Sequence, residues 1–136
     1  MSDSAAKPRP QFRNISVPQI LSYRLPLAGR LSILHRVSGA LLFLCLPLVI
    51  LLFSASVTSQ AGFDQLAGFV DNILVKLVLL ALIWGYLHHF CAGIRYLLLD
   101  LHIGIDKDAS RKSAGVVFGV SLALTLVFAL KLFGVW

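Results

Sequence analysis

The chain has little charge and contains no glutamate. Its 136 residues include 12 lysines and arginines and six acidic residues, all of them aspartates, so charged residues make up 13% of the sequence. That share is about half of what a soluble domain carries. Hydrophobic residues account for 58%, and the mean hydropathy is +0.87. These values exclude a disordered chain and an ordinary water-soluble globule.

Cysteine is also scarce. Cys45 and Cys91 each lie inside an apolar run, and no Cys-x-x-Cys pair is present. This usage supports neither a disulfide scaffold nor a cysteine metal site. We interpret both side chains as small buried hydrophobic groups.

Three long apolar runs dominate the rest of the sequence. About 20 apolar residues cross a bilayer, and the runs predict spans over residues 31–53, 73–99 and 114–135. We therefore predict an all-α integral membrane protein, with an N-terminal segment at 1–30 and a three-helix membrane domain at 31–136. Four prolines interrupt the N-terminal segment, which favours irregular chain with room for a short interfacial helix.

The basic residues indicate how the chain crosses the membrane. Six basic residues precede or open the first span: Lys7, Arg9, Arg13, Arg24, Arg30 and Arg36. The first link is flanked by Lys76 alone, whereas the second link contains Lys107, Arg111 and Lys112. Near the C-terminus there is one, Lys131. The positive-inside rule then predicts a cytoplasmic N-terminus and a periplasmic C-terminus. This placement explains the net charge of +6 better than nucleic-acid binding does.

The N-terminal region does not have the features of a cleaved targeting signal. The first apolar run begins too late and is too long for a signal peptide, and no Arg- and Ser-rich transit peptide precedes it. A bacterial inner membrane is therefore the expected location.

Ionisable side chains inside apolar spans need a protein, water or cofactor partner. Ser32, His35, Arg36 and Gly39 have the spacing of one helical face in the first span. They form a polar stripe near its cytoplasmic start. The competing interpretation is that Arg36 only extends to the interface as a topology anchor.

The second span carries a histidine between two glycines. Gly85, His89 and Gly93 are four residues apart, and His89 is roughly 15 Å from the cytoplasmic end of the span. The glycines predict a flat slot beside His89, and neutral imidazole is a common axial ligand of haem. A histidine hydrogen-bonded to another helix, with glycines as packing contacts, remains the alternative.

Neighbouring residues qualify this haem hypothesis. His88 points about 100° away from His89, so we expect a hydrogen bond to another helix rather than ligation. His35 is much nearer the membrane surface than His89, so a second axial ligand is expected from another subunit. Arg95 lies closer to the cytoplasm, where a haem carboxylate or a lipid phosphate can pair with it.

Two motifs resemble those of a known family. They read Ser32-Ile-Leu-His35-Arg36-Val-Ser38-Gly39, and His89-Phe-Cys-Ala-Gly93-Ile94-Arg95-Tyr96 followed by Asp100. Together with the pair Arg9-Pro10, they resemble the cytochrome b membrane anchor of succinate dehydrogenase, respiratory complex II. The chain departs from that pattern at Tyr96, where the family often has His or Phe; tyrosine still offers one hydrogen-bond donor.

The resemblance implies an anchor subunit of succinate:quinone oxidoreductase. A flavoprotein with FAD and an iron–sulfur protein would be its soluble partners, and a second small membrane anchor would share a b-type haem with it. His89 would be an axial ligand of the haem iron, and Ser32 and Arg36 would bind quinone. His35 and Arg36 would lie near the haem propionates. Arg95 is a further candidate for a propionate contact, because of its position closer to the cytoplasm.

Three other functions remain open at this point. The same parts would serve the anchor of a quinol:fumarate reductase, because the direction depends on cofactors in other subunits. A small non-redox transporter would usually carry Asp or Glu within its spans, whereas no aspartate lies clearly inside these. A structural anchor without haem would leave His89 and its flanking glycines unexplained.

Overall fold

The structure is a computed structural model that describes residues 16–135, apart from the side chain of Leu21. It contains five helices, α1 to α5, at Val17–Ser22, Leu27–Thr58, Gln60–Val70, Ile73–Asp100 and Lys107–Leu132. The Arg9-Pro10 pair, the basic residues Lys7, Arg9 and Arg13, and Trp136 lie outside the described residues.

The predicted all-helical membrane fold is confirmed. Helices α2, α4 and α5 are each long and apolar enough to cross a membrane. At 1.5 Å per residue, the 32 residues of α2 extend about 48 Å, which exceeds the hydrocarbon thickness of a bilayer. Helix α2 begins before and ends after the predicted span, and α5 begins at Lys107 and ends at Leu132 rather than covering 114–135.

A short helix precedes the first span. Helix α1 has Pro18 in its first turn, where the missing N–H of proline is tolerated. The backbone N–H of Ser16 donates to Gln19 Oε1 at 2.8 Å and completes a capping box. The chain is then non-helical until Pro26, which caps α2.

The first link contains a helix that hydrophobic runs alone do not indicate. Ser59 caps α3 by accepting a hydrogen bond from the Gly62 N–H at 3.0 Å. A Cβ at Gly62 would lie 2.5 Å from the Ala55 carbonyl oxygen, so glycine allows α3 to pack closely against the end of α2. Phe63 and Phe69 remain exposed, which gives α3 an apolar surface.

The three long helices bury little of one another. Their most apolar 18-residue windows are 0%, 11% and 17% buried. The small core contains Leu31, Ala92, Ala114 and Val117, where α2, α4 and α5 meet. Because the remaining apolar surface is outside this core, the fold needs lipid or partner helices to cover it.

Candidate functional site

The imidazole of His89 is held against the backbone of α2. Its Nδ1 lies 2.9 Å from the carbonyl oxygen of His35 and 3.3 Å from Ser38 Oγ. A carbonyl oxygen only accepts hydrogen bonds, so Nδ1 carries the proton. The lone pair of the neutral ring is therefore on Nε2. Metal-binding histidines commonly donate from the other ring nitrogen to a carbonyl in this way.

Gly39 allows α2 to approach this ring. A Cβ at Gly39 would lie 2.7 Å from Cε1 and 3.2 Å from Nδ1 of His89. The first distance is too short for non-bonded carbon atoms, so a side chain at this position would displace the imidazole. Gly39 thus contributes to the position of His89 by leaving room for it.

The predicted slot around His89 is open on one side only. The His35 ring stacks on the His89 ring with centroids 4.2 Å apart and an interplanar angle of 6°. The expectation that His35 lies much nearer the membrane surface than His89 is therefore wrong, because the packing of α2 on α4 brings both rings to the same depth. A Cβ at Gly93 would lie 3.8 Å from His35 Nε2, so the His35 ring fills the space on that side. No atom lies within 4 Å of the corresponding position at Gly85 among the described residues.

An apolar cavity of about 650 Å³ begins at His89. Its size falls within the range typical of small-molecule and cofactor sites. Aliphatic residues of α2 and α4 form most of its wall, together with Phe90 and with Phe128 of α5. A planar apolar group with a metal centre fits this chemistry, because His89 provides an imidazole at the edge of a water-poor space.

The predicted quinone residues differ in how far the protein covers them. Ser32 is half-buried and Arg36 is exposed. They are one helical turn apart, and neither side chain hydrogen-bonds to another residue in the part of the chain that the structure describes. Within the predicted stripe, His35 and Gly39 therefore lie against His89, whereas Arg36 is exposed.

Arg95 links α4 to α5. Its side chain is 6% exposed, and Nε donates to Ser113 Oγ at 2.9 Å. Nη2 donates to Ser110 Oγ at 2.8 Å and to the Ser110 carbonyl at 3.2 Å. The guanidinium also lies 5.4 Å from the centre of the Tyr96 ring. Arg95 thus has a structural role, and its assignment to a haem propionate stays a prediction.

Comparison with known proteins identifies the family. The family described as "Succinate dehydrogenase/Fumarate reductase transmembrane subunit" matches residues 7–128. The chain belongs to this family. The resemblance predicted from the two motifs is therefore confirmed.

Similar proteins from several organisms cover most of the chain. The succinate dehydrogenase cytochrome b556 subunit of Coxiella burnetii is 36% identical over 118 residues, covering 86% of this chain and 90% of that protein. The subunit of the same name from Paracoccus denitrificans is 29% identical over 116 residues, covering 85% and 89%. The cytochrome b560 subunit of Reclinomonas americana is 27% identical over 119 residues, covering 81% and 80%.

The surroundings of His88 are aromatic. His88 is fully buried, with ring centroids 5.3 Å from Trp84 and 5.2 Å from Phe118. Neither ring nitrogen has a partner that meets hydrogen-bond geometry within residues 16–135, although the backbone of Leu31 on α2 lies close enough to act on the ring. The expected interaction with another helix is thus present without a fully formed hydrogen bond. The hydroxyl of Tyr96 is likewise buried without a partner in that range.

The sequence did not predict the three serines that contact the site residues. Ser38 lies beside His89, and Arg95 donates hydrogen bonds to Ser110 and Ser113. Ser38 follows His35 by three residues within the first motif, and that spacing could have indicated a shared helix face. Ser110 and Ser113 have the same spacing on α5. A buried arginine requires acceptors, but the sequence does not indicate which helix provides them.

Proposed function

We propose that this chain is the cytochrome b anchor of a succinate:quinone oxidoreductase, where it binds haem b and forms part of the quinone-reduction site. The observation that carries the proposal is the hydrogen bond from His89 Nδ1 to the His35 carbonyl at 2.9 Å. This bond leaves Nε2 as the basic nitrogen beside an apolar cavity. The similar proteins are succinate dehydrogenase cytochrome b subunits, which supports the same function.

His89 would provide one axial ligand of the haem iron, and a second small membrane anchor would provide the other. His35 would not hold the same iron, because its ring is stacked face to face on the His89 ring with centroids 4.2 Å apart, which leaves no room for a metal ion between them. When bound, haem b supplies one-electron redox chemistry.

His35 and Arg36 would lie near the haem propionates. The two residues are adjacent at the cytoplasmic end of α2, and His35 already contacts His89. Arg95 would pair with a propionate only through donors that it does not use for α5, because Nε and Nη2 are bonded to Ser110 and Ser113.

Ser32 and Arg36 would bind the quinone head group. The Ser32 hydroxyl can donate a hydrogen bond to a quinone carbonyl oxygen. The Arg36 guanidinium can stabilise negative charge that develops on a quinone oxygen during reduction. The chain has no carboxylate in the central part of any span, so protons would reach the quinone through water or partner side chains.

The soluble partners would be a flavoprotein with FAD and an iron–sulfur protein on the cytoplasmic side. Succinate would be oxidised on the flavoprotein, and this chain would receive the electrons through the iron–sulfur protein. The relatives' names favour this direction over quinol:fumarate reduction. A small transporter is disfavoured, because the family is a family of oxidoreductase subunits.

The Gly39→Ala variant tests how the haem is held. We expect the purified wild-type complex to show a low-spin b-type band in its reduced-minus-oxidised absorbance spectrum. Gly39→Ala should lower the haem content or shift that band, because the new methyl group would lie 2.7 Å from His89 Cε1. Overpacking of this kind costs about 1–3 kcal/mol. The measurement is haem per assembled complex.

Gly119→Ala is the matched control for this test. Gly119 is also in a membrane-spanning helix, and no atom lies within 4 Å of its Cβ position in the described chain. We expect the control to keep a wild-type spectrum. An unchanged spectrum in Gly39→Ala would contradict the proposed role of this helix contact, and a wild-type complex without haem would contradict the proposed function.

The orientation proposed for the chain places the start of α2 in the cytoplasm and the C-terminus in the periplasm of a bacterial inner membrane. A reporter that is active only outside the cytoplasm should give a signal when it is fused after Trp136. The same reporter inserted at Gly104 should remain silent. Gly104 suits an insertion, because it lies in the turn between α4 and α5 with a φ of +75°. The reverse pattern would contradict the orientation.

A further inference from the structure

Two adjoining cavities lie where α2 and α5 begin. Their volumes are about 640 Å³ and 380 Å³, and both are lined by Leu27 and Arg111. The larger cavity is also lined by Arg30 and Lys107, and the smaller one by Lys112. We call the pair the basic cavity and define it by its four cationic residues: Arg30, Lys107, Arg111 and Lys112.

The positive charge of the basic cavity is largely uncompensated. Within residues 16–135, none of its four cations forms an ion pair with a carboxylate. Among the residues that the structure describes, Asp108 is the one acidic residue that lines either cavity. The cavity therefore attracts an anion, and lysine and arginine are the side chains that bind phosphate oxygens most often.

A buried cation adds to this potential. Ser110 lines the larger cavity, and its hydroxyl accepts a hydrogen bond from Nη2 of Arg95 at 2.8 Å. Arg95 is 6% exposed, and within the described residues its hydrogen bonds go to neutral serine groups. Because a buried charge is poorly screened by solvent, Arg95 strengthens the attraction for an anion beside Ser110.

We propose that the basic cavity binds the phosphate headgroup of an anionic phospholipid. The larger cavity combines its cations with an apolar wall formed by Leu25, Pro26, Ala28 and Ile105. A phospholipid presents the same combination, with an anionic phosphate next to its glycerol and acyl chains. Basic pockets between membrane-spanning helices on the cytoplasmic side bind such headgroups. This inference does not depend on haem or quinone binding.

The position of the basic cavity favours a lipid over an acidic segment of a protein. Its walls come from the N-terminal ends of two membrane-spanning helices, α2 and α5, and from the residues just before them, and lipid phosphates lie near the ends of such helices. A lipid bound there would bridge the two helices. We therefore expect it to raise the thermal stability of the assembled complex, since it binds the folded state.

The test uses the purified complex in non-ionic detergent after removal of native lipid. Phosphatidylglycerol, phosphatidylcholine with the same acyl chains, and inorganic phosphate are titrated separately, with bound lipid counted by native mass spectrometry and the Tm recorded. We expect phosphatidylglycerol to bind at least about tenfold more tightly than phosphatidylcholine. The double variant Lys107→Gln, Arg111→Gln should weaken this binding about 25-fold, because one surface cation contributes about fivefold.

The matched control is Arg24→Gln, which removes one exposed cation outside the lining of the basic cavity. It should change the affinity by less than about twofold, because its charge only contributes to the general field. Arg111→Lys keeps the charge and should keep most of the binding. If the double variant does not assemble, each single variant should still show the fivefold loss.

Four results would overturn the proposal. Equal binding of the two phospholipids would show that charge is not recognised, and unchanged binding in the variants would place the site elsewhere. Displacement by millimolar inorganic phosphate would indicate a site for a soluble anion. Loss of the soluble subunits from the variants, with phosphatidylglycerol binding unchanged, would show that the basic cavity is a protein interface.

Discussion

His89→Ala should abolish the low-spin b-type absorbance of the purified complex. The substitution removes Nε2, the proposed ligand atom, and it also removes the ring that bonds to the His35 carbonyl at 2.9 Å. Loss of a hydrogen bond to a metal-ligating side chain already lowers affinity about 10- to 100-fold. Loss of the ligand itself should have a larger effect. The measurement is the reduced-minus-oxidised spectrum, normalised to assembled complex.

The neighbouring histidine provides the matched control. His88→Ala should keep the spectrum largely intact, although it leaves a cavity between Trp84 and Phe118. His88→Leu should keep the spectrum and most of the stability, because leucine fills the space between Trp84 and Phe118 and His88 makes no hydrogen bond of normal geometry in the described chain. Loss of the spectrum in the His88 variants alone would show that the other face of α4 binds the haem.

Addition of free imidazole separates loss of a ligand from failure to fold. In His89→Gly, the space vacated by the side chain adjoins the cavity of about 650 Å³, so exogenous imidazole can enter it. A low-spin spectrum should then return. If imidazole leaves the spectrum unchanged while the complex remains assembled, His89 has a role in packing and is not a ligand.

The membrane fold could be predicted because a span depends on local composition. About 20 consecutive apolar residues suffice to indicate one, so α2, α4 and α5 followed from the sequence. Helix α3 could not be found in this way, because a short surface helix has no long apolar run. Its formation depends on the Ser59 cap and on the close approach of Gly62 to Ala55.

The site could be predicted only in part, because helical periodicity identifies a face but not what that face contacts. The spacing placed His35, Arg36 and Gly39 on one stripe. The contact of His35 and Gly39 with His89, and the exposure of Arg36, depend on how α2 packs against α4. The serines that bind Arg95 are distant from it in sequence, and the resemblance to a family did not indicate them.

Arg36→Leu should reduce succinate:quinone activity more than Ser32→Ala does. Removal of the Ser32 hydroxyl costs one hydrogen bond, about 0.5–1.5 kcal/mol. Removal of the Arg36 guanidinium costs a charge-assisted contact, about 1.5–3 kcal/mol, which corresponds to a loss of about 10- to 100-fold. Neither side chain has another hydrogen bond within the described residues, so the variants should remain folded. The measurement is quinone reduction with succinate as donor, together with inhibitor sensitivity.

Two controls distinguish a damaged quinone site from failed assembly. Succinate oxidation with an artificial acceptor that takes electrons from the soluble subunits should remain at the wild-type rate in both variants. Arg24→Leu removes an exposed cation of the segment before α2 and should leave quinone reduction unchanged, whereas Arg36→Lys should retain part of the activity because it keeps the charge. Arg36 lies next to His35, so the haem spectrum of Arg36→Leu must also be recorded. If Arg36→Leu and Ser32→Ala both reduce quinone and respond to inhibitor as the wild type does, the stripe is a topology anchor and the quinone binds elsewhere.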